Sequence, residues 1–347
     1  MTRAARVFGL CAALSMGCGE PTSFDDPTEG DSVPSDGSVD DTNNSDVPSE
    51  PPSGPVVWST VEPALPIQVL NHPAAGVVYW AAPEDAAGVV FVFHGTGGDA
   101  TLVESTETMA IMNEIVDAGL AYIAFDAANA ADKRFNAASA PNSNADWSNL
   151  RQVRESLVVS GAITEAMPTF FWGYSAGGSF ASWAGHAALN AGWNLRGLIF
   201  QQSTGRSQFY GDAPDVDVLM ALTENDEKID VETARENYEE HAAQNDDVLV
   251  DILELDLDPT RFARTPFFDE TQSAQVFSEA VRAGLYDEQG VRQFDLSGLP
   301  DVITDFVNAY DVIYPKPAKA QLNVVLATHA VNGQSAEQTG AFVGSRL

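Results

Sequence analysis

The chain of 347 residues is 44% hydrophobic, enough to build one large core. Its 50 acidic residues against 17 basic ones give a formal net charge of -33, so the field of the whole molecule repels phosphate backbones and anionic lipid, and nucleic acid is excluded as an expected partner. The only two cysteines are Cys11 and Cys18, so the segment downstream of them folds with neither disulfide nor thiol nucleophile.

The chain starts with a short basic stretch at Arg3 and Arg6, an apolar run from Val7 to Met16, and then Gly17-Cys18. That is the pattern of an export signal over residues 1–18, with an apolar run too short to span a bilayer. Small residues before a cysteine resemble the lipobox of bacterial lipoproteins, which implies lipidation of Cys18 on an exported bacterial protein held at the outer membrane or cell surface. Ser15 stands where that pattern has Leu, and Leu14 lies one position further back, so cleavage near Gly17 with plain secretion is the competing expectation. Residues 19–55 are Asp, Ser, Pro and Gly with no Lys or Arg and almost no large apolar side chain. Such a segment cannot offset the entropy of ordering and reads as a disordered acidic tether, with a reach of roughly 30 to 35 Å. The membrane is then a partner only through a lipid anchor at Cys18.

The folded part is expected over residues 56–347. Val77–Trp80, Val89–Phe93, Leu120–Phe125, Thr169–Trp172, Leu198–Gln201 and Val218–Leu222 are short apolar runs that predict strands. Between them, Leu102–Asp117, Trp147–Val159 and Ala176–Asn190 carry helical patterns; Asp146 is the expected N-cap of the second, and Phe180, Trp183 and Ala187 share a face of the third. Strands alternating with helices imply an α/β fold: a mostly parallel sheet with helices on both faces and function at the carboxyl ends of the strands.

Three loops carry chemistry. After Val89–Phe93 comes His94-Gly95-Thr96-Gly97-Gly98-Asp99, whose glycines let backbone N–H groups converge on an oxygen. A phosphate-binding reading fails for want of the Gly-x-x-x-x-Gly-Lys-Ser/Thr spacing and of a nearby lysine. The run Thr169–Trp172 leads into Gly173-Tyr174-Ser175-Ala176-Gly177, a Gly-x-Ser-x-Gly turn between a strand and a helix, which is the context of a nucleophile elbow. After Val218–Leu222 comes the polar turn Thr223-Glu224-Asn225-Asp226-Glu227-Lys228-Ile229. Of the five histidines, His72, His94, His186, His241 and His329, only the last two follow that turn. His241 falls in a charged helical stretch and reads as an exposed helix residue, whereas His329 follows the apolar run Leu322–Leu326, which predicts a strand with the histidine at its carboxyl end.

With its glycine-rich loop, elbow and polar turn in that order, the chain resembles the α/β-hydrolase superfamily. The resemblance implies a Ser-His-Asp triad in which Ser175 is the nucleophile, Asp226 the acid, with Glu224, Glu227 and Asp230 as fallbacks, and His329 the base. It implies an oxyanion hole from the N–H groups of Thr96 and Ala176, with Gly97 in reserve. The gap from Asp226 to His329 is longer than the compact family pattern. Val248–Leu255 reads as a further strand, and residues 259–317, with Pro266-Phe267-Phe268 and helical runs over Thr271–Gly284 and Asp301–Tyr310, read as a helical cap insertion. The two glycine motifs are similar to those of secreted feruloyl esterases and polyester depolymerases, which implies carboxylic ester hydrolysis on a small-molecule or polymeric substrate. A serine peptidase or amidase of the same fold and a non-catalytic surface-binding lipoprotein are the competing expectations. No metal-ligand spacing is present, so no metal or cofactor is expected.

Overall fold

The computed structural model describes residues 58–210, 216–296, 299–309, 312 and 314–347. The expected export signal, Cys18 and the tether of residues 19–55 lie outside the described residues.

A strand whose every residue is apolar has to be covered on both faces, and two central strands, Gly88–Phe93 and Leu120–Phe125, are of that kind. In chain order the elements are β1 (Gln68–His72), β2 (Gly76–Ala81), β3 (Gly88–Phe93), α1 (Thr106–Asp117), β4 (Leu120–Phe125), α2 (Ala145–Ser160), β5 (Thr169–Tyr174), α3 (Ala176–Asn190) and β6 (Leu195–Gln201). The short α4 (Ser207–Tyr210), β7 (Asp217–Thr223), α5 (Val231–Ala242), β8 (Val248–Ile252), α6 (Glu270–Arg282), α7 (Leu299–Ala309), α8 (Pro315–Val325) and α9 (Ala336–Gly344) follow. All six residues of β3 and of β4 are buried. The sheet has eight strands in the order β1-β2-β4-β3-β5-β6-β7-β8, with β2 antiparallel to both its neighbours and every other pair parallel.

Period-two alternation divides the core. Phe91, Phe93, Phe171, Phe200 and Met220 pack with Leu150 of α2 and with Phe180 and Trp183 of α3, while Val90, Val92, Trp172, Ile199 and Leu219 pack with Ile111 and Ile115 of α1 and Phe342 of α9. Phe93 meets the edges or faces of Phe125, Phe135, Phe171 and Phe180 at centroid distances of 4.9 to 6.1 Å. This rigid aromatic floor ends one residue before His94, so the loop that follows starts from a fixed point. A third cluster joins Phe262, Phe268, Val276, Ile303 and Phe306 of the insertion to Leu322 of α8.

Three local expectations are corrected. The run Leu322–Leu326 is no strand but the last turn of α8, whose buried positions Ala318, Leu322 and Val325 recur at helical spacing behind a proline at the first turn. The N-cap of α2 is Asn144, whose side chain accepts from the Trp147 N–H at 3.0 Å, whereas Asp146 is buried and accepts from the N–H groups of Ala128 (2.6 Å) and Asn136 (2.7 Å). Asp146 thus ties down the loop between β4 and α2. The pattern over Leu102–Asp117 divides at Ser105 into a 3-10 turn, Ala100–Glu104, and α1. The edge strand β1 has four of its five residues exposed, which left no apolar run to read.

Candidate active site

Ser175 has φ 53° and ψ -121°, a conformation that a non-glycine residue holds only under strain, and it stands between the end of β5 and the first turn of α3. The turn is tight enough to dictate its glycines. A Cβ on Gly173 would run into the carbonyl of Gly177, and one on Gly177 into the carbonyl of Phe93. The Ser175 N–H donates to Gln201 O at 2.9 Å, which fastens the elbow to the end of β6.

The side chains of Ser175, Asp226 and His329 meet at the carboxyl ends of β5 and β7. His329 Nε2 is 2.8 Å from Ser175 Oγ, and His329 Nδ1 is 2.8 Å from Asp226 Oδ2 and 3.0 Å from Oδ1. Asp226 also accepts from the N–H groups of Lys228 (2.8 Å) and Ile229 (3.2 Å) and from Thr223 Oγ1 (3.3 Å), so its carboxylate is fixed in place. None of the fallback acids takes this place: Asp230 caps α5 by accepting from the Thr233 N–H, Glu224 accepts from the Glu254 N–H, and Glu227 is exposed.

The loop bearing His329 is held from several sides. Asn225 donates its N–H to Ala327 O (3.0 Å) and its side-chain amide to Leu326 O (2.8 Å), and the Tyr174 hydroxyl donates to the His329 carbonyl at 2.9 Å. Further along, the N–H of Gly333 donates to Glu107 Oε2 at 3.0 Å. Glu107 is buried on α1 and its other oxygen accepts from Arg261, Arg264 and Gln321. Burial alone would raise its pKa, but the two guanidinium groups more than offset this and hold it below the usual carboxylate range. Tyr174, Asn225 and Glu107 were not anticipated as partners of the site; Tyr174 at least lay in view, inside the elbow motif.

The glycine-rich loop runs beside Ser175: a Cβ on Gly95 would touch the Tyr174 ring at 3.0 Å and Ser175 Cβ at 3.3 Å. Gly97, the reserve oxyanion donor, already donates its N–H to Asp132 O (3.1 Å) and Lys133 O (3.2 Å). The N–H groups of Thr96 and Ala176 have no acceptor among the described residues. That of Ala176 is an unpaired donor of the first turn of α3. His94 is buried; its Nδ1–H donates to Gly95 O (2.8 Å) and its Nε2 accepts from the Ala127 N–H (3.2 Å), an arrangement that needs the neutral ring. Burial lowers its pKa accordingly.

His241, expected as an exposed helix residue, is buried instead, with Nδ1 2.6 Å from Asp247 Oδ2. The helical pattern alone could not reveal an aspartate six residues on, at the start of β8. Among the described residues, no group of three or more His, Cys, Asp or Glu side chains is placed to hold a metal ion.

An eight-stranded sheet in this order, with a strained serine between β5 and α3, is the α/β-hydrolase fold. No family model matches the chain, and no curated protein is significantly similar to it. Among solved structures it is similar to an esterase of Pyrococcus furiosus, at 13% identity and a TM-score of 0.38 over 58% of this chain and 88% of that one. It is similar as well to a dienelactone hydrolase of Anabaena variabilis, at 17% identity and a TM-score of 0.39 over 62% and 97% of the two chains. A ferulic acid esterase gives 9%, 0.41, 55% and 90%. The fold rests on the strand order and the elbow, not on these distant likenesses.

Proposed function

We propose that the chain is a serine hydrolase that cleaves carboxylic esters through an acyl-enzyme. The observation that carries this reading is His329, which lies within hydrogen-bond distance of Ser175 Oγ on one ring nitrogen and of a buried aspartate on the other. In the first half-reaction Ser175 Oγ attacks the ester carbonyl carbon and its proton passes to His329 Nε2. Asp226 holds the Nδ1–H and stabilises the imidazolium that forms. The oxyanion takes hydrogen bonds from the N–H groups of Thr96 and Ala176, the latter aided by the positive end of α3. Collapse breaks the bond to the alcohol, whose oxygen receives the proton from Nε2. Water then gives a proton to Nε2 and attacks the acyl carbon, and release of the acid returns the proton to Ser175.

The choice of ester over amide is supported by the likeness of the His-Gly-Thr-Gly-Gly and Gly-Tyr-Ser-Ala-Gly-Gly motifs to those of feruloyl esterases and polyester depolymerases. Steady-state comparison of matched ester and amide substrates tests it, and a higher kcat/KM for the amide would overturn it. The insertion of residues 259–317 roofs the site in this reading, since Leu299 lines a cavity together with His329. Residues 1–18 export the protein and Cys18 carries a lipid, with residues 19–55 spacing the catalytic domain from a membrane. Intact mass of the mature chain tests this: an unmodified N-terminus downstream of Cys18 would contradict the anchor.

A further inference from the structure

A cavity of about 160 Å³ opens beside His329, lined by Asn225, Glu227 and Lys228 of the acid loop, Leu299 of α7, and Lys319 and Asn323 of α8. The chain has only four lysines, Lys133, Lys228, Lys316 and Lys319, and two of them line this one cavity of a protein with 50 acidic residues. Neither forms an ion pair with a described residue: half-buried Lys319 donates from Nζ to Thr304 Oγ1 at 2.8 Å, and the Lys228 ammonium has no partner among the described residues. The carboxamide of Asn323 is likewise without a partner among the described residues. Among the described residues that line the cavity, Glu227 is the one carboxylate, while Asp226 is turned to His329.

Ammonium groups only donate hydrogen bonds, so two of them beside a free amide ask for an acceptor, and best for an anion. In a chain this acidic, exposed Lys228 at the rim and half-buried Lys319 in the wall reverse the local field where a substrate enters. We propose that this cavity is an anion subsite and that the preferred esters carry a carboxylate on their alcohol part. The alcohol side follows from the esterase reading, on which that half of the proposal rests, because His329 returns its proton to the leaving oxygen. Leu299 supplies an apolar wall, and a cavity of about 150 Å³ is known to take a benzene ring, so a carboxylated six-membered ring fits the space.

The test compares the full chain with its Lys228→Met/Lys319→Met variant in two measurements. In the first, binding of 4-hydroxybenzoate and of phenol is followed by calorimetry. In the second, kcat/KM is measured for 4-acetoxybenzoate and phenyl acetate, each divided by its uncatalysed rate. The expected results are binding of 4-hydroxybenzoate over phenol and a preference of roughly tenfold for the anionic ester, both falling to about parity in the variant. On wild type alone, the preference should shrink as salt is raised from low to high ionic strength, which reads the subsite without a substitution. Turnover of both esters without preference, or 4-hydroxybenzoate binding that survives the double substitution, overturns the subsite while the esterase reading stands. Binding that depends on the lysines, with neither ester turned over, upholds the subsite and overturns the esterase reading instead.

Discussion

Two His–Asp pairs stand at opposite ends of β7. At the carboxyl end, His329 and Asp226 are 2.8 Å apart with side chains 17% and 0% exposed; at the amino end, His241 and Asp247 are 2.6 Å apart with side chains 3% and 0% exposed. Both aspartates are fixed by backbone N–H groups, Asp226 by those of Lys228 and Ile229 and Asp247 by that of Val218. By pair geometry alone they are equals. They differ in what meets the other side of the ring. His329 faces a serine held at φ 53° on an elbow and opens into a cavity, whereas His241 is buried with the Asn245 side chain against its ring. A buried aspartate orients a histidine; a strained nucleophile and access to solvent turn the orientation into chemistry.

The largest expected effects break the carboxyl-end pair. Ser175→Ala should lower kcat by on the order of 10⁶ with unchanged folding, and His329→Ala should come close to it, since nucleophile and base act as one unit. Asp226→Asn should cost roughly 10⁴ in kcat, because the amide favours the wrong tautomer of the ring. At the amino end the effect moves to stability. His241→Ala should leave kcat/KM of the folded enzyme within about twofold of wild type, yet lower unfolding stability in urea by about 1–3 kcal/mol, since Asp247 would be left buried without its partner. Equal losses of activity at both histidines would erase the distinction.

A smaller effect sharpens it from the far side of the site. Glu107 is held below the usual carboxylate range by Arg261 and Arg264 and is therefore depressed in the folded state relative to the unfolded chain. Its contribution to stability is fully present above the unfolded carboxylate pKa, about 4.3, and is lost as pH falls through the lower folded value. The stability advantage of wild type over Glu107→Gln should be constant near neutrality and shrink below about pH 4.3. Urea titrations at several pH values measure this, and an advantage that grows with acid would contradict it.

How much of this was legible in the sequence follows from how local each requirement is. The elbow and the glycine-rich loop announce themselves because tight backbone approaches, such as Gly177 against the Phe93 carbonyl, admit only glycine. Asp226 could be found because a short polar turn after β7 supplies both the carboxylate and the N–H groups that hold it. The element carrying His329 reads as a strand because four apolar residues in a run of five fit a strand or a helix turn equally, and only the helical spacing of Ala318, Leu322 and Val325 behind Pro315 decides for the helix. The Glu107 hub and the lysine-lined cavity were out of reach. Each is assembled from segments that meet only in the fold: α1, the insertion, α8 and the loop at Gly333 for the one, and the acid loop, α7 and α8 for the other.

Labelling with a serine-directed fluorophosphonate and peptide mapping on wild type, His329→Ala and His241→Ala tests whether His329 activates Ser175. A single adduct on Ser175 is expected in wild type and in His241→Ala, and none in His329→Ala. Absence of labelling in well-folded wild type, or an adduct that survives the loss of His329, would contradict it.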